Sequence, residues 1–314
     1  MSNSYLELSN AISDAVEKAG KSTLQVNARE RIPSSGIAFG KDLVLTADHT
    51  LEREDDISVG MPDGTQLKAV IAGRDSGTDM AVLRLEKALA FPAELSKQAR
   101  VGQIVLALGR PTDGGIEASL GTLSAISGPI RTHSGILDRY YRTDTTPYPG
   151  FSGGPLVDAE GKILGINTSG FGRGTSITIP IEIAWKLADE LAINGAIKRG
   201  YLGIRSQPVE LNPAAQSALK REQSTGLLIV GLEPLSPAEK GGLLVGDILV
   251  GLKGYAISDH DELMANLTRD VVGSPTPVDV LRGGLPQIIN IIIEERKPET
   301  EHQGHPQQHN HGRR

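Results

Sequence analysis

The chain has 314 residues, 39% of them hydrophobic but only 4% aromatic, and a formal net charge of −6. That length supports two domains with buried cores, and the acidic balance offers no basic surplus for nucleic acid or anionic lipid. With no cysteine in the sequence, neither disulfides nor thiolate metal sites can form, and the redox compartment stays open.

Residues 1–25 carry acids throughout and no apolar core of about seven residues, so they read as neither a secretory signal nor a membrane anchor. A cytoplasmic protein is the expectation. Within this stretch Tyr5, Leu8, Ile12, Ala15, Val16 and Ala19 recur at spacings of three and four, which predicts an amphipathic helix. Residues 1–29 are thus an N-terminal helical segment that either docks on its own domain or makes subunit contacts.

From Ile37 to about Pro180 the chain alternates short apolar runs with Gly, Pro and Asp. The runs include Leu43 to Thr46, Ile57 to Val59, Gln66 to Ala72, Met80 to Leu85, Ile104 to Leu108, Gly121 to Ile126 and Ile163 to Ile166. Many short strands at this spacing predict antiparallel barrels. Ile183, Ala184, Leu187, Ala188 and Leu191 then keep helical spacing, so Ile181 to Asn194 reads as a closing helix stopped by Gly195, and Ala196 to Gly200 as a linker.

Chemistry centres on Gly150-Phe151-Ser152-Gly153-Gly154, where glycines let the backbone turn sharply and leave a carbonyl room to approach the serine hydroxyl. The stretch also fits the Gly-x-Ser-x-Gly elbow of the α/β-hydrolases, which needs an apolar strand before it and a helix after it. Here Tyr140 to Pro149 is polar with two prolines, and Pro155 to Ile166 reads as two strands joined by an Asp/Gly turn. The chymotrypsin order of His, Asp and Ser fits instead. His49 ends the apolar strand Leu43-Val44-Leu45-Thr46, and Asp79 directly precedes the run Met80-Ala81-Val82-Leu83. In that reading His49 takes the proton of Ser152, and Asp79 holds the imidazole tautomer and stabilises the imidazolium. Among the alternatives, His133 lies in a polar loop, Asp48 points away from its neighbour on an extended chain, and Asp75 looks like a turn former.

These residues resemble the trypsin-like domain of the HtrA (high-temperature-requirement, or Deg) serine proteases. The matching pieces are Ser35-Gly36-Ile37-Ala38-Phe39, Leu45-Thr46-Ala47-Asp48-His49, Thr78-Asp79-Met80-Ala81-Val82-Leu83, Pro149-Gly150 with Ser152-Gly153-Gly154-Pro155-Leu156-Val157, and Gly165-Ile166-Asn167-Thr168. The resemblance implies a mostly β fold, a chymotrypsin-like double β-barrel protease domain over residues 30–195. It implies His49, Asp79 and Ser152 as the triad, the N–H groups of Gly150 and Ser152 as the oxyanion hole, and a supporting role for Asp144. Where the family usually places Asn before the nucleophile, this chain has Phe151. The family strand that usually reads close to Gly-Phe-Ala-Ile-Pro is here Ser176-Ile177-Thr178-Ile179-Pro180. In the family it borders the primary specificity pocket, so Ser176, Ile177 and Thr178 are the substrate-binding candidates, with a small or medium aliphatic residue expected at the cleavage site.

Residues 200–296 form a second module. Gly226 to Val230 is a strand, Ser236-Pro237-Ala238 leads towards Gly246-Asp247-Ile248-Leu249, Asp259 to Leu267 reads as a helix, and Val278 to Leu281 and Ile288 to Ile293 are final strands. This order resembles a PDZ domain in the circularly permuted bacterial arrangement. In that fold Tyr201-Leu202-Gly203-Ile204 would be the loop whose N–H groups meet the carboxylate of a peptide C-terminus added as a strand. The tail, 297–314, holds His302, His305, His309 and His311 among Gln, Gly and Pro, with no acid or ordered element following them to fix ligands, so it reads as a disordered tail rather than a metal site. No cofactor is expected. The function implied is an ATP-independent serine endopeptidase acting on unfolded or misfolded polypeptides, assembled as a homo-oligomer, with trimers known among relatives. The competing reading is a peptide-binding chaperone or scaffold with an idle protease domain.

Overall fold

The computed structural model describes residues 3–89, 91–132, 135–171, 177–197, 199–268 and 271–295. They form two compact units, Met1–Ile197 with Ala256–Asn266, and Lys198–Tyr255 with Leu267–Arg314. His133, Ser176 and the four tail histidines lie outside the described residues.

The first unit opens with helix α1 (Ser4–Gly20), where the Asn3 side chain accepts from the Leu6 amide at the N-terminus. Its apolar stripe is buried only at the C-terminal end, through Ala15 and Ala19, while Tyr5, Leu6 and Leu8 stay exposed. A buried cation meets the helix end: the Arg110 guanidinium donates to the last helical carbonyl, Gly20 O, at 2.9 Å and to Thr23 O, just beyond the helix, at 2.8 Å. Burial pulls the pKa of that guanidinium below its ordinary value.

Six short strands follow: β1 (Thr23–Asn27), β2 (Ser34–Phe39), β3 (Leu43–Thr46), β4 (Ile57–Gly60), β5 (Gln66–Asp75) and β6 (Met80–Leu85). They close into an antiparallel barrel in the order β1-β2-β3-β6-β5-β4. Leu24, Val26, Ala38, Val44, Val59 and Leu83 fill its interior. Closure removes every strand edge, which is how such short strands become a stable unit.

A second barrel is built from β7 (Ile104–Thr112), β8 (Gly115–Ser127), β11 (Tyr140–Thr143), β12 (Pro155–Asp158), β13 (Ile163–Thr168) and β14 (Ile177–Pro180), in the order β11-β14-β13-β12-β7-β8. Between β8 and β11 lies a small hairpin, β9 (Ile130–Thr132) and β10 (Gly135–Leu137). Helix α2 (Ile181–Asn194) buries Ile181, Ala184, Ala188 and Leu191, and its Trp185 meets Phe39 edge to face at 4.5 Å. Gly195 ends it in the left-handed region at φ +77, with its N–H on Leu191 O.

The second unit begins with β15 (Gly200–Tyr201) and continues through β16 (Ile204–Glu210), α3 (Pro213–Leu219), β17 (Thr225–Leu232), α4 (Pro237–Lys240), β18 (Ile248–Leu252) and β19 (Tyr255–Ala256). The short helix α5 (His260–Asn266) is grouped with the first unit, and the second resumes with β20 (Pro275–Arg282), β21 (Leu285–Ile292) and β22 (Glu294–Glu295). The sheet runs β16-β17-β18-β20-β21, so among the described residues β16 is an edge strand paired only with β17. Leu227, Ile229, Leu249, Val278, Val280 and Ile291 are buried. Asp247, also buried, takes both arms of the Arg282 guanidinium at 2.8 and 2.7 Å and the Leu244 amide at 2.9 Å.

Candidate active site

Each barrel supplies part of one constellation. His49 sits in a single 3-10 turn, Asp48–Thr50, just beyond the end of β3, and Asp79 sits directly before β6. The turn into β6 is shaped by Asp75, whose carboxylate accepts the Thr78 amide at 2.9 Å and its hydroxyl at 2.7 Å. This places Asp79 at φ +52, a left-handed conformation that a non-glycine residue adopts only when its surroundings impose it.

The Asp79 carboxylate is 5% exposed and gathers its partners from two barrels. It accepts the His49 amide at 2.9 Å and His49 Nδ1 at 2.8 Å, and the Thr168 hydroxyl of β13 donates to it as well. An ionised carboxylate only accepts, so the imidazole proton resides on Nδ1 and Nε2 carries the lone pair. Asp48 also points away from Asp79 and binds Arg74 Nε at 2.7 Å, but it does so as the first residue of the 3-10 turn and not, as expected, by alternation along an extended chain.

Ser152 lies in the connection between β11 and β12. Phe151 N–H donates to Tyr148 O, closing a turn around Pro149 and Gly150, with Gly150 at φ +85. Gly153 also has φ +85, and a Cβ there would fall 2.1 Å from Ser35 O, so no other residue fits without moving β2. Ser35 grips the turn from the first barrel. Its amide donates to Ser152 O at 3.1 Å, its hydroxyl donates to Gly150 O at 2.7 Å, and that hydroxyl in turn accepts the Arg110 amide at 2.8 Å. Phe151 is buried in the second barrel with Val105, Ala107, Leu123, Tyr141, Leu156 and Leu164. The Phe151 ring therefore anchors the turn by burial. Among the described residues the N–H groups of Gly150 and Ser152 have no intramolecular acceptor.

The Ser152 hydroxyl is not hydrogen bonded directly to His49 among the described residues. It lies 3.1 Å from Ser169 Oγ, which lies 3.5 Å from His49 Nε2. Ser35 and Thr168 lie in stretches that carry the resemblance and Ser169 just beyond one, but the sequence gives none of the three a role, because each is a hydroxyl whose partner comes from another strand or loop. Asp144 binds the amide and hydroxyl of Thr122, which hold its carboxyl below the ordinary range. Ile177 and Thr178 are buried on β14, and the Thr178 hydroxyl is committed to Asn167 Oδ1 at 2.7 Å.

In the second unit, Tyr201 donates its hydroxyl to Glu233, and Leu202 is buried with its carbonyl on the Ala238 amide. Gly203 has φ +75 and its carbonyl accepts the Glu233 amide, while Ile204 opens β16. Among the described residues the N–H groups of Leu202 and Gly203 have no intramolecular acceptor.

Comparison with known proteins agrees with this architecture. The model of the trypsin-like peptidase domain matches residues 34–166, and that of the PDZ domain matches residues 200–293. A probable periplasmic serine endoprotease DegP-like from Halomonas elongata is 33% identical over 267 residues, 82% of this chain and 56% of the relative. The serine endoprotease DegS of Haemophilus influenzae is 31% identical over 83% of this chain and 76% of the relative. The chain thus spans little more than half the length of several curated relatives it matches. Among solved structures, the HtrA-type protease AlgW with decapeptide aligns at a TM-score of 0.72 and 26% identity, covering 91% of this chain and 99% of that one. The serine endoprotease from Yersinia pestis aligns at 0.73 and 28% identity, covering 91% and 98%.

These relatives correct the cytoplasmic expectation. Several of them are named periplasmic, which points to a location outside the cytoplasm. The expectation rested on the composition of the first residues, and where a sequence begins says nothing about what precedes it.

Proposed function

Because the chain belongs to the HtrA (Deg) family of trypsin-like serine proteases, we propose that it is an endopeptidase that cleaves unfolded or misfolded polypeptides without ATP. Ser152 Oγ attacks the scissile carbonyl while His49 Nε2 takes its proton, and Asp79 steadies the imidazolium. The oxyanion settles on the N–H groups of Gly150 and Ser152. Such donors, here without another acceptor among the described residues, are each worth about 10²- to 10³-fold in kcat. His49 then returns the proton to the leaving amine, and water hydrolyses the acyl-enzyme. The observation that carries this reading is the buried Asp79 carboxylate 2.8 Å from His49 Nδ1, which fixes a bare Nε2 linked through one hydroxyl to Ser152.

Casein digestion tests it. Wild type is expected to digest the substrate and Ser152→Ala is not; equal rates would remove Ser152 from the mechanism. The Ser152–Ser169 contact favours a second reading, a peptide-binding scaffold whose protease domain is idle, and inactivity of both proteins would support that one.

The amides of Leu202 and Gly203, without an acceptor among the described residues, and the edge of β16, unpaired among them, support capture of a peptide C-terminus in the second unit. Titration with a peptide and its C-terminal amide is expected to show binding of the free carboxylate only; equal binding would rule this out. The exposed Tyr5, Leu6 and Leu8 support a homo-oligomer joined through α1. Tyr5→Glu with Leu8→Glu is expected to sediment as a smaller species, and an unchanged profile would place the contact elsewhere.

A further inference from the structure

Ser169 follows β13 and occupies the space between the nucleophile and the base. Its position is held from both sides. The preceding Thr168 hydroxyl donates to Asp79, and the Gly170 amide donates back to Thr168 Oγ1 at 2.9 Å. At Gly170 a Cβ would lie 2.4 Å from Asp79 Oδ2, so a side chain there would displace the carboxylate.

The direction of the hydrogen bonds follows from the tautomer. With the proton on Nδ1, Nε2 can only accept, so Ser169 donates to it across 3.5 Å. A hydroxyl has one proton, so toward Ser152 it must accept, and Ser152 donates its proton across 3.1 Å. The lone pair that should receive the nucleophile's proton is therefore engaged by Ser169, and the proton itself is engaged by Ser169.

We propose that Ser169 is a positioning residue that holds Ser152 and His49 in a resting arrangement, and that its hydroxyl must turn away before the proton passes between them. This rests on the proposed roles of Ser152 and His49. A neutral hydrogen bond of this kind biases the site toward rest by roughly 2- to 10-fold, which is the gain expected when the hydroxyl is removed.

The test uses the full chain, a small fluorophosphonate as probe of the nucleophile, and a quenched peptide to separate kcat from KM. Ser169→Ala is expected to raise both the labelling rate and kcat by roughly 2- to 10-fold, with KM changed by less than about twofold. Ser169→Thr keeps the hydroxyl and is expected to stay near wild type. An Ala variant with unchanged rates would overturn the proposal. So would an Ala variant slower than wild type and restored by Thr, because that pattern makes Ser169 a carrier of the proton. Ser152→Ala is the separate control: if it labels as well as wild type, the assignment of Ser152 fails and this inference falls with it.

Discussion

At Asp79 the backbone sits at φ +52, a conformation that costs an L-residue on the order of 1–3 kcal/mol. The carboxylate that results accepts from the His49 amide, His49 Nδ1 and Thr168 Oγ1, so the strain is maintained by its partners. Asp79→Asn preserves the shape but presents an amide donor to Nδ1, which places the imidazole proton on Nε2. Its kcat is expected to fall on the order of 10⁴-fold with the fold intact. Steady-state kinetics with a thermal melt check this, and a variant within tenfold of wild type would contradict the role given to Asp79. The proposed triad, His49, Asp79 and Ser152, could be put forward from sequence because each has a local signature, a strand end, a strand start or a glycine-rich turn. Ser35 and Ser169 carry no such signature. Their hydroxyls gain meaning only when β2 reaches the turn at Gly150 and the end of β13 passes His49.

At the scale of elements, long periodic segments were the most legible. Helix α2 fills the span its apolar spacing predicts, and Gly195 stops it for the predicted reason. Helix α3 was not read, since its seven residues are too few for periodicity to show, although Asn212 caps it by accepting from the Ala215 amide at 2.8 Å. The link between β20 and the start of β18 was equally silent, because Asp247 and Arg282 are far apart in sequence. Burial pushes the Asp247 carboxyl up, but the Arg282 guanidinium and the Leu244 amide outweigh it and hold it below its ordinary 3.8. A carboxyl depressed in the folded state contributes stability above its unfolded value and loses it as pH falls through the folded value. Asp247→Asn is therefore expected to lower stability by about 1–3 kcal/mol at neutral pH, with the difference from wild type shrinking below about pH 4. Calorimetry across that range checks it; a difference independent of pH would show that the pair's charge is not what stabilises the unit.

The first unit holds two closed barrels, and the second holds a sheet whose β16 is an edge strand among the described residues, preceded by a glycine-turned loop. Its mostly β character was legible from the density of short apolar runs, and its closure into two six-stranded barrels follows the resemblance in the motifs. Location was not legible, because composition near the start of a sequence does not report the compartment. The account depends on one group of atoms, and mass mapping of the adduct formed by a fluorophosphonate measures it most directly. The prediction is a single covalent phosphonyl group on Ser152, absent from Ser152→Ala and strongly reduced in Asp79→Asn. An adduct on another residue, or none on folded wild-type protein, would contradict it.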